Sequence, residues 1–291
     1  MKNYLSERLA QIKPSPTIAI SDKARELRAA GEDVISLSQG EPDFETPEHI
    51  KVAAIRAMQD GHTRYTAVDG IPELKQAIRD KFKLDNGLSY EHSQISVSTG
   101  GKQVLYNAFM ATLNAGDEVI IPAPYWVSYP DMVVLAEGRP VIAACLAQND
   151  FKLTAEELEA AITPATRWLI LNSPSNPTGS VYNQHELKAL AEVLLRHPQI
   201  LVMSDDIYEH LIYGKAEFST LAQVEPKLFS RTLTCNGMSK AYCMTGWRVG
   251  FAGGPEPLIR AMAKLQSQST SNPTSISQHA AIAGLTGGRA F

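Results

Sequence analysis

The chain has 291 residues, 44% of them hydrophobic and 20% charged, enough apolar material for a sizeable core spread over about two domains' worth of chain. Its 27 Lys plus Arg against 31 Asp plus Glu leave a net charge of −4, which offers no field for nucleic acid or an anionic membrane. Three cysteines, odd in number and widely spaced (Cys145, Cys235, Cys243), argue against a disulfide framework or a zinc site.

The start, MKNYLSERLAQIKPSP, has no apolar stretch of signal-peptide type. No apolar run approaches the roughly 20 residues of a membrane helix, so a cytoplasmic location is expected. Residues 1–45 differ in pattern from the rest of the chain: a loose Pro- and Ser-containing segment, a helix over DKARELRAA, a short strand at VISLS and a turn at QGEPDF. This predicts an N-terminal arm with part of a second, smaller unit in 1–45 and one large unit over 46–291. In the large unit Pro72 opens the helix PELKQAIRDKFK, a tolerated first-turn position. Strands are predicted at 95–98, 118–122, 140–146, 167–172, 200–205, 231–236 and 248–253. Several are continuous apolar runs, the mark of strands buried on both faces. Thr154 and Glu157 form a T-x-x-E capping box before one intervening helix, and HELKALAEVLLRH at 185–197 ends another before Pro198. Strands alternating with helices predict an α/β protein, a three-layer α/β/α arrangement around a mostly parallel sheet, with an incomplete small α+β domain beside it. The last helix begins at SISQHAAIAGLT and the chain stops soon after Gly287-Gly288, which suggests a truncated sequence.

Five segments with chemical potential lie at the predicted C-terminal ends of strands, where open α/β sheets bind ligands. In NGMSKAYCMTGWRVG, Lys240 follows a buried strand. A lysine there is either a solvated side chain at a helix start or an amine that burial makes neutral and nucleophilic, able to form Schiff bases with carbonyl compounds. Arg248, eight residues on, suits a phosphate. In LNSPSNPTG, Asn176 is either an ordinary turn former or a donor to a ligand oxygen. In SDDIYEH, Asp205 and Tyr208 either belong to a solvated loop or project into the same crevice. The glycines of STGGKQ let backbone N–H groups approach a phosphate at a helix N-terminus. In PAPYWVSYP, Trp126 is either core or a stacking platform.

Taken together and in this order, GEPDF, RYTAVDGIPELK, GGKQ, PAPYWVSYP, NSPSNPTG, SDDIYEH and SKAYCMTGWRVG resemble the class I, fold-type I aminotransferases that depend on pyridoxal 5′-phosphate. The resemblance is strongest to the bacterial aspartate aminotransferases that also accept prephenate, and it runs from the arm to the last residue. It implies that Lys240 holds the cofactor and acts as the base and acid of the reaction, while Asp205 pairs with the pyridine nitrogen. Asn176 and Tyr208 then bond the phenolic oxygen, and Trp126 stacks on the ring. Gly100, Gly101 and Lys102 open the helix that faces the phosphate, with Arg248 as its charged partner. Tyr65 reaches the phosphate of a neighbouring subunit, making a homodimer part of the site. Gly40, Trp126 and Asn176 border the substrate, and Lys102 and Lys13 are candidates for its distal carboxylate. The bonds Ala123-Pro124 and Asn176-Pro177 are expected to be cis.

The family's members run on for about another hundred residues that complete the small domain and carry an arginine for the substrate's α-carboxylate. The resemblance therefore implies a complete cofactor site beside incomplete substrate recognition, and a chain that alone is poorly soluble or nearly inactive. Three other readings stay open. One is a β-lyase using the same lysine. Another is a ligand-sensing module, for which the acidic balance and the absence of a basic helix-turn-helix are unfavourable. The third is an inactive remnant.

Overall fold

The computed structural model describes residues 4, 6–37 and 40–288. Seven strands form one sheet: β1 (Ile95–Ser98), β2 (Glu118–Ala123), β3 (Arg139–Ala144), β4 (Thr166–Asn172), β5 (Leu201–Asp205), β6 (Thr232–Gly237) and β7 (Gly250–Gly253). Their order is β1-β7-β6-β5-β4-β2-β3. Every neighbouring pair is parallel except those made by β7, which runs antiparallel to both β1 and β6. The mostly parallel α/β sheet expected from the sequence is thus present. The C-terminal ends of β1, β2, β4, β5 and β6 and the entry to β7 all reach the same edge.

Alternation along the strands divides the core between two faces. In β4, Trp168 and Ile170 pack with α4 (Gly101–Thr112), α5 (Ser128–Leu135) and α9 (Glu256–Ser267). Leu169 and Leu171 point the other way, to a cluster with α6 (Ala155–Ala161), α7 (Gln184–Arg196) and α8 (Leu221–Val224). A third cluster joins the β1–β7 end to α2 (Glu48–Gln59), α3 (Pro72–Asn86) and α10 (Ser275–Thr286). Each fully buried Leu, Ile or Phe contributes about 1.5–3 kcal/mol, so strands covered on both faces are fixed firmly in place. Trp168 is buried against Phe109, ring edge to face at 6.1 Å, and its indole N–H donates to Thr112 at 2.9 Å.

Helix ends follow the predicted local chemistry. Thr154 accepts from the Glu157 backbone while the Glu157 carboxylate accepts from the Thr154 backbone, closing the capping box of α6. Pro72 opens α3, and Gly87 ends it in the left-handed conformation at φ 66°.

Two expectations fail in the N-terminal segment. The first helix, α1, spans Pro16–Ala29 rather than starting at Asp22, because Pro16 at the first turn already has the φ a helix needs. The predicted strand at VISLS does not form. Val34 to Leu37 pair with no strand among the described residues, and Ile35 and Leu37 are 86% and 93% exposed. A strand is stable only with a neighbour to take its N–H and C=O groups. Ser38 and Gln39, which complete that strand and open the next turn, lie outside the described residues.

Candidate active site

Asp205 ends β5, is 7% exposed, and carries a carboxylate that accepts from the Tyr129 hydroxyl at 2.6 Å. Burial pushes its pKa up to about 6, against the lowering effect of Tyr129 and of the Ile207 backbone N–H. On the adjoining strand, the Asn172 side chain donates to the Asp205 carbonyl at 2.8 Å. Its oxygen accepts from the Asn176 backbone, also at 2.8 Å. Asn176 in turn extends its amide to the Tyr208 hydroxyl at 3.4 Å. Tyr208 has its pKa raised, first by burial and then by the Asp205 charge. The bonds Ala123-Pro124 and Asn176-Pro177 are cis, as is Ser173-Pro174.

Lys240 lies three residues beyond the end of β6. Its Nζ stands 5.8 Å from the centroid of the Tyr208 ring and donates to the Gly40 carbonyl. Burial lowers the lysine's pKa and Arg248 lowers it further, while Glu41 opposes them. An amine so placed is neutral more often than a solvated one, as a nucleophile or proton acceptor requires.

The start of α4 forms the third side. Gly100 sits at φ +86°, and a Cβ there would lie 2.3 Å from the Arg248 guanidinium. Only glycine allows that approach. Apart from its own neighbours and helix backbone, no atom lies within 4 Å of the position a Cβ would take on Gly101, so this 12-residue helix opens with free space on that side of its N-terminus, beside an arginine. That is the arrangement by which proteins hold phosphates. Arg248 fixes itself by donating to the Thr245 carbonyl at 2.9 Å. Lys102 holds its ammonium 4.8 Å from the Trp126 ring centroid, and burial together with Arg248 lowers its pKa. Trp126 meets Tyr129 edge to face at 5.4 Å.

Contacts and charge effects link these groups in a circuit: Tyr129 bonds Asp205, whose charge acts on Tyr208, which stands under Lys240; the Arg248 charge acts on both Lys240 and Lys102, and Lys102 and Tyr129 both meet Trp126. Asn176, Gly40 and Gly100 attach to it directly, and Gly101 adjoins Gly100. The structure does not bring in Tyr65 or Lys13. Tyr65 is 91% exposed and Lys13 is exposed, and neither makes a hydrogen bond, ion pair or ring contact among the described residues. Sequence reasoning missed Tyr129, Asn172 and Glu41. Tyr129 had a signal in the spacing, three residues beyond Trp126 at a helix start. Asn172 lay inside LNSPSNPTG, four residues before Asn176.

Residues 32–289 match the family model described as aminotransferase class I and II. The aspartate/prephenate aminotransferase of Cereibacter sphaeroides is 65% identical over 288 residues, 99% of this chain and 72% of that protein. A probable aspartate/prephenate aminotransferase from Rickettsia bellii is 60% identical, covering 98% of this chain and 71% of that protein. Among solved structures, the aspartate aminotransferase of Rhizobium meliloti superposes with a TM-score of 0.95 at 56% identity, over 99% of this chain and 72% of that one. The Thermus thermophilus aspartate aminotransferase with maleate gives 0.93 at 48% identity, over 97% and 72%. No helix among the described residues is long and apolar enough to cross a membrane.

Proposed function

This chain belongs to the class I and II aminotransferase family, and we propose that it moves the amino group of L-aspartate to a 2-oxo acid with pyridoxal 5′-phosphate held at Lys240. The family generally uses that cofactor. The observation that carries the reading is the order of groups around the circuit. A buried acid stands at one end, an amine of lowered pKa in the middle, and a glycine-opened helix N-terminus with an arginine at the other. That donor set suits a flat ring with a basic nitrogen, an aldehyde and a phosphate.

In this reading Asp205 pairs with the ring nitrogen, and Tyr129 and Ile207 keep its carboxylate aimed. Asn176 and Tyr208, already within reach of each other, take the phenolic oxygen. The N–H groups at Gly101 and Lys102 hold the phosphate with Arg248, and Trp126 covers the ring. When bound, the cofactor supplies a carbonyl for the substrate amine and an electron sink for the pair released at Cα. Lys240 Nζ would carry the proton from the substrate's Cα to the carbon that held the bound cofactor's aldehyde, work for which a buried, partly neutral amine is suited. Gly40, whose carbonyl accepts from Lys240, borders the substrate, with Lys102 and Lys13 toward its distal carboxylate. Relatives named aspartate/prephenate aminotransferases, and a relative solved with the dicarboxylate maleate, favour aspartate as donor. 2-Oxoglutarate is proposed as acceptor, and prephenate as an alternative acceptor.

A homodimer is part of the proposal, because the exposed Tyr65 ring then has a use at the neighbouring subunit's phosphate. Residues 1–45 are proposed as an arm and part of a smaller unit, for which the exposed Ile35 and Leu37 are the support.

The test is an absorption spectrum of the purified chain with pyridoxal 5′-phosphate, followed by L-aspartate and 2-oxoglutarate. The expected result is a long-wavelength band that Lys240→Ala lacks, then oxaloacetate and glutamate in equal amounts. Pyruvate with ammonia from an amino acid that carries a leaving group on Cβ, such as L-cystine, would assign a lyase instead. Folded protein with no Lys240-dependent band would end the cofactor assignment.

A further inference from the structure

Opposite the circuit, on the far side of the same strand ends, lies a buried polar cluster that the proposed reaction does not use. Its centre is Glu209, whose side chain is 3% exposed. One carboxylate oxygen accepts from Asn236 at 2.7 Å and pairs with the Lys81 ammonium. The other accepts from Asn86 at 2.7 Å. Lys81 also donates to Asn86 at 2.8 Å and lies 3.6 Å from Asp85. His210 stands 3.4 Å from Glu209 and 3.5 Å from Asp85.

The ties reach two other elements of the fold. Lys81 and Asn86 belong to α3, Asn236 to β6, and Glu209 to the turn after β5. That turn is short: the Glu209 N–H donates to the Asp206 carbonyl at 3.0 Å, so the Glu209 side chain fixes where the adjacent Tyr208 stands. Asn236 is four residues before Lys240. Its amide reaches both Glu209 and the Asp206 carbonyl, while its oxygen accepts from the Gly237 N–H at 2.7 Å.

We propose that Glu209 is a positioning residue: through Asn236 it clamps the segment carrying Asp205 and Tyr208 to the segment carrying Lys240, with α3 as the anchor. A buried ion pair of this kind adds little net stability over an apolar pair of equal size. What it supplies here is direction, because a carboxylate held by three donors from two elements has one orientation. The proposal rests on the reading of Lys240 as the working amine.

The test measures the pH dependence of Lys240 acylation by an amine-reactive ester, followed by mass spectrometry on the whole chain. It needs no cofactor. Lys81→Met/Glu209→Leu removes the pair without changing net charge or leaving a buried lysine unpaired. Loss of the clamp lets Lys240 take up water, so its midpoint rises toward that of a free lysine by about half a unit or more. Asn236→Ala, which leaves the ion pair in place, is expected to shift the midpoint the same way and carries the test if the double variant does not fold. Glu209→Gln keeps an oxygen toward Asn236 and is expected to hold the wild-type midpoint. A folded double variant or Asn236→Ala with the wild-type midpoint overturns the proposal, as does an equal shift in Glu209→Gln. A chain that shows these shifts but no Lys240-dependent absorbance keeps the clamp and loses the cofactor reading, so the two failures are distinguishable.

Discussion

Gly250 gives the sharpest test of how the sheet builds the anion-binding end of the site. It pairs with Ser98 in β1 and Gly237 in β6, directly under the start of α4. A Cβ added there would lie 2.2 Å from the Gly101 nitrogen and 2.3 Å from the Gly100 carbonyl carbon. Both are backbone atoms, so no rotamer change relieves the overlap. Restoring an ordinary contact of 3.4 Å from 2.2 Å requires a displacement of about 1.2 Å at the helix start or in the strand. Overpacking of this kind costs about 1–3 kcal/mol, and a contact with backbone belongs at the upper end. At about 2–4 °C per kcal/mol for a chain of this size, Gly250→Ala should melt on the order of 5–10 °C below wild type. The same displacement moves the first N–H groups of α4 away from Arg248. The loss of one charge-assisted hydrogen bond there predicts about tenfold weaker binding of pyridoxal 5′-phosphate. Gly246→Ala is the control, since no atom lies within 4 Å of its Cβ position, and it should melt within about 1 °C of wild type. Thermal melts by circular dichroism and a cofactor titration measure both effects. A Gly250→Ala protein with wild-type melting and wild-type affinity would refute the reasoning, because the backbone at Gly100 and Gly101 would then yield without cost.

Two further substitutions probe the buried acids. Tyr129→Phe removes the 2.6 Å donor to Asp205, pushing that carboxylate further above its present value of about 6. Cofactor affinity near pH 7.5 should fall about tenfold, and an unchanged titration would contradict the role given to Tyr129. Asp206 is also buried, with a pKa pushed up to about 7. The folded state therefore holds a proton that the unfolded state has released, and stability falls as pH rises from about 4 through about 7. Asp206→Asn should remove that slope, so the difference in melting temperature between variant and wild type grows in the variant's favour across this range. Parallel profiles would show that Asp206 titrates as an ordinary acid.

The sheet was legible because its strands are runs such as RWLILN and ILVMSD, which only a doubly covered strand can bury. The caps were legible because Thr154 and Glu157 act within one turn. Val34 to Leu37 have the composition of a strand, yet composition cannot supply a partner, and they remain exposed. Lys240, Asp205 and Asn176 could be picked out by their place after strands and by the joint motif. What no local pattern carries is the support behind them. Tyr129 meets Asp205 across 76 positions of sequence, and Asn86 meets Glu209 across 123. Desolvation is equally invisible in sequence, since the lowered pKa of Lys240 comes first from burial by segments distant in the chain.

The strand ends explain why these residues converge at one edge. The parallel ladder runs out at Asp205, opposite Asn172 in β4 and Cys235 in β6. A buried carbonyl beyond a ladder's last rung lacks a strand partner and is costly unless another donor reaches it. Here asparagines from the two flanking strands reach in. Asn172 donates to the Asp205 carbonyl at 2.8 Å and Asn236 to the Asp206 carbonyl at 3.2 Å. The same two side chains then turn outward: Asn172 orients the Asn176 segment, and Asn236 the Gly237 segment that leads to Lys240. Satisfying the backbone at the end of β5 and placing the reactive groups are therefore one arrangement. The reversal of β7 completes it, because only an antiparallel strand between β1 and β6 enters the sheet at this edge and delivers Arg248 against the glycines of α4.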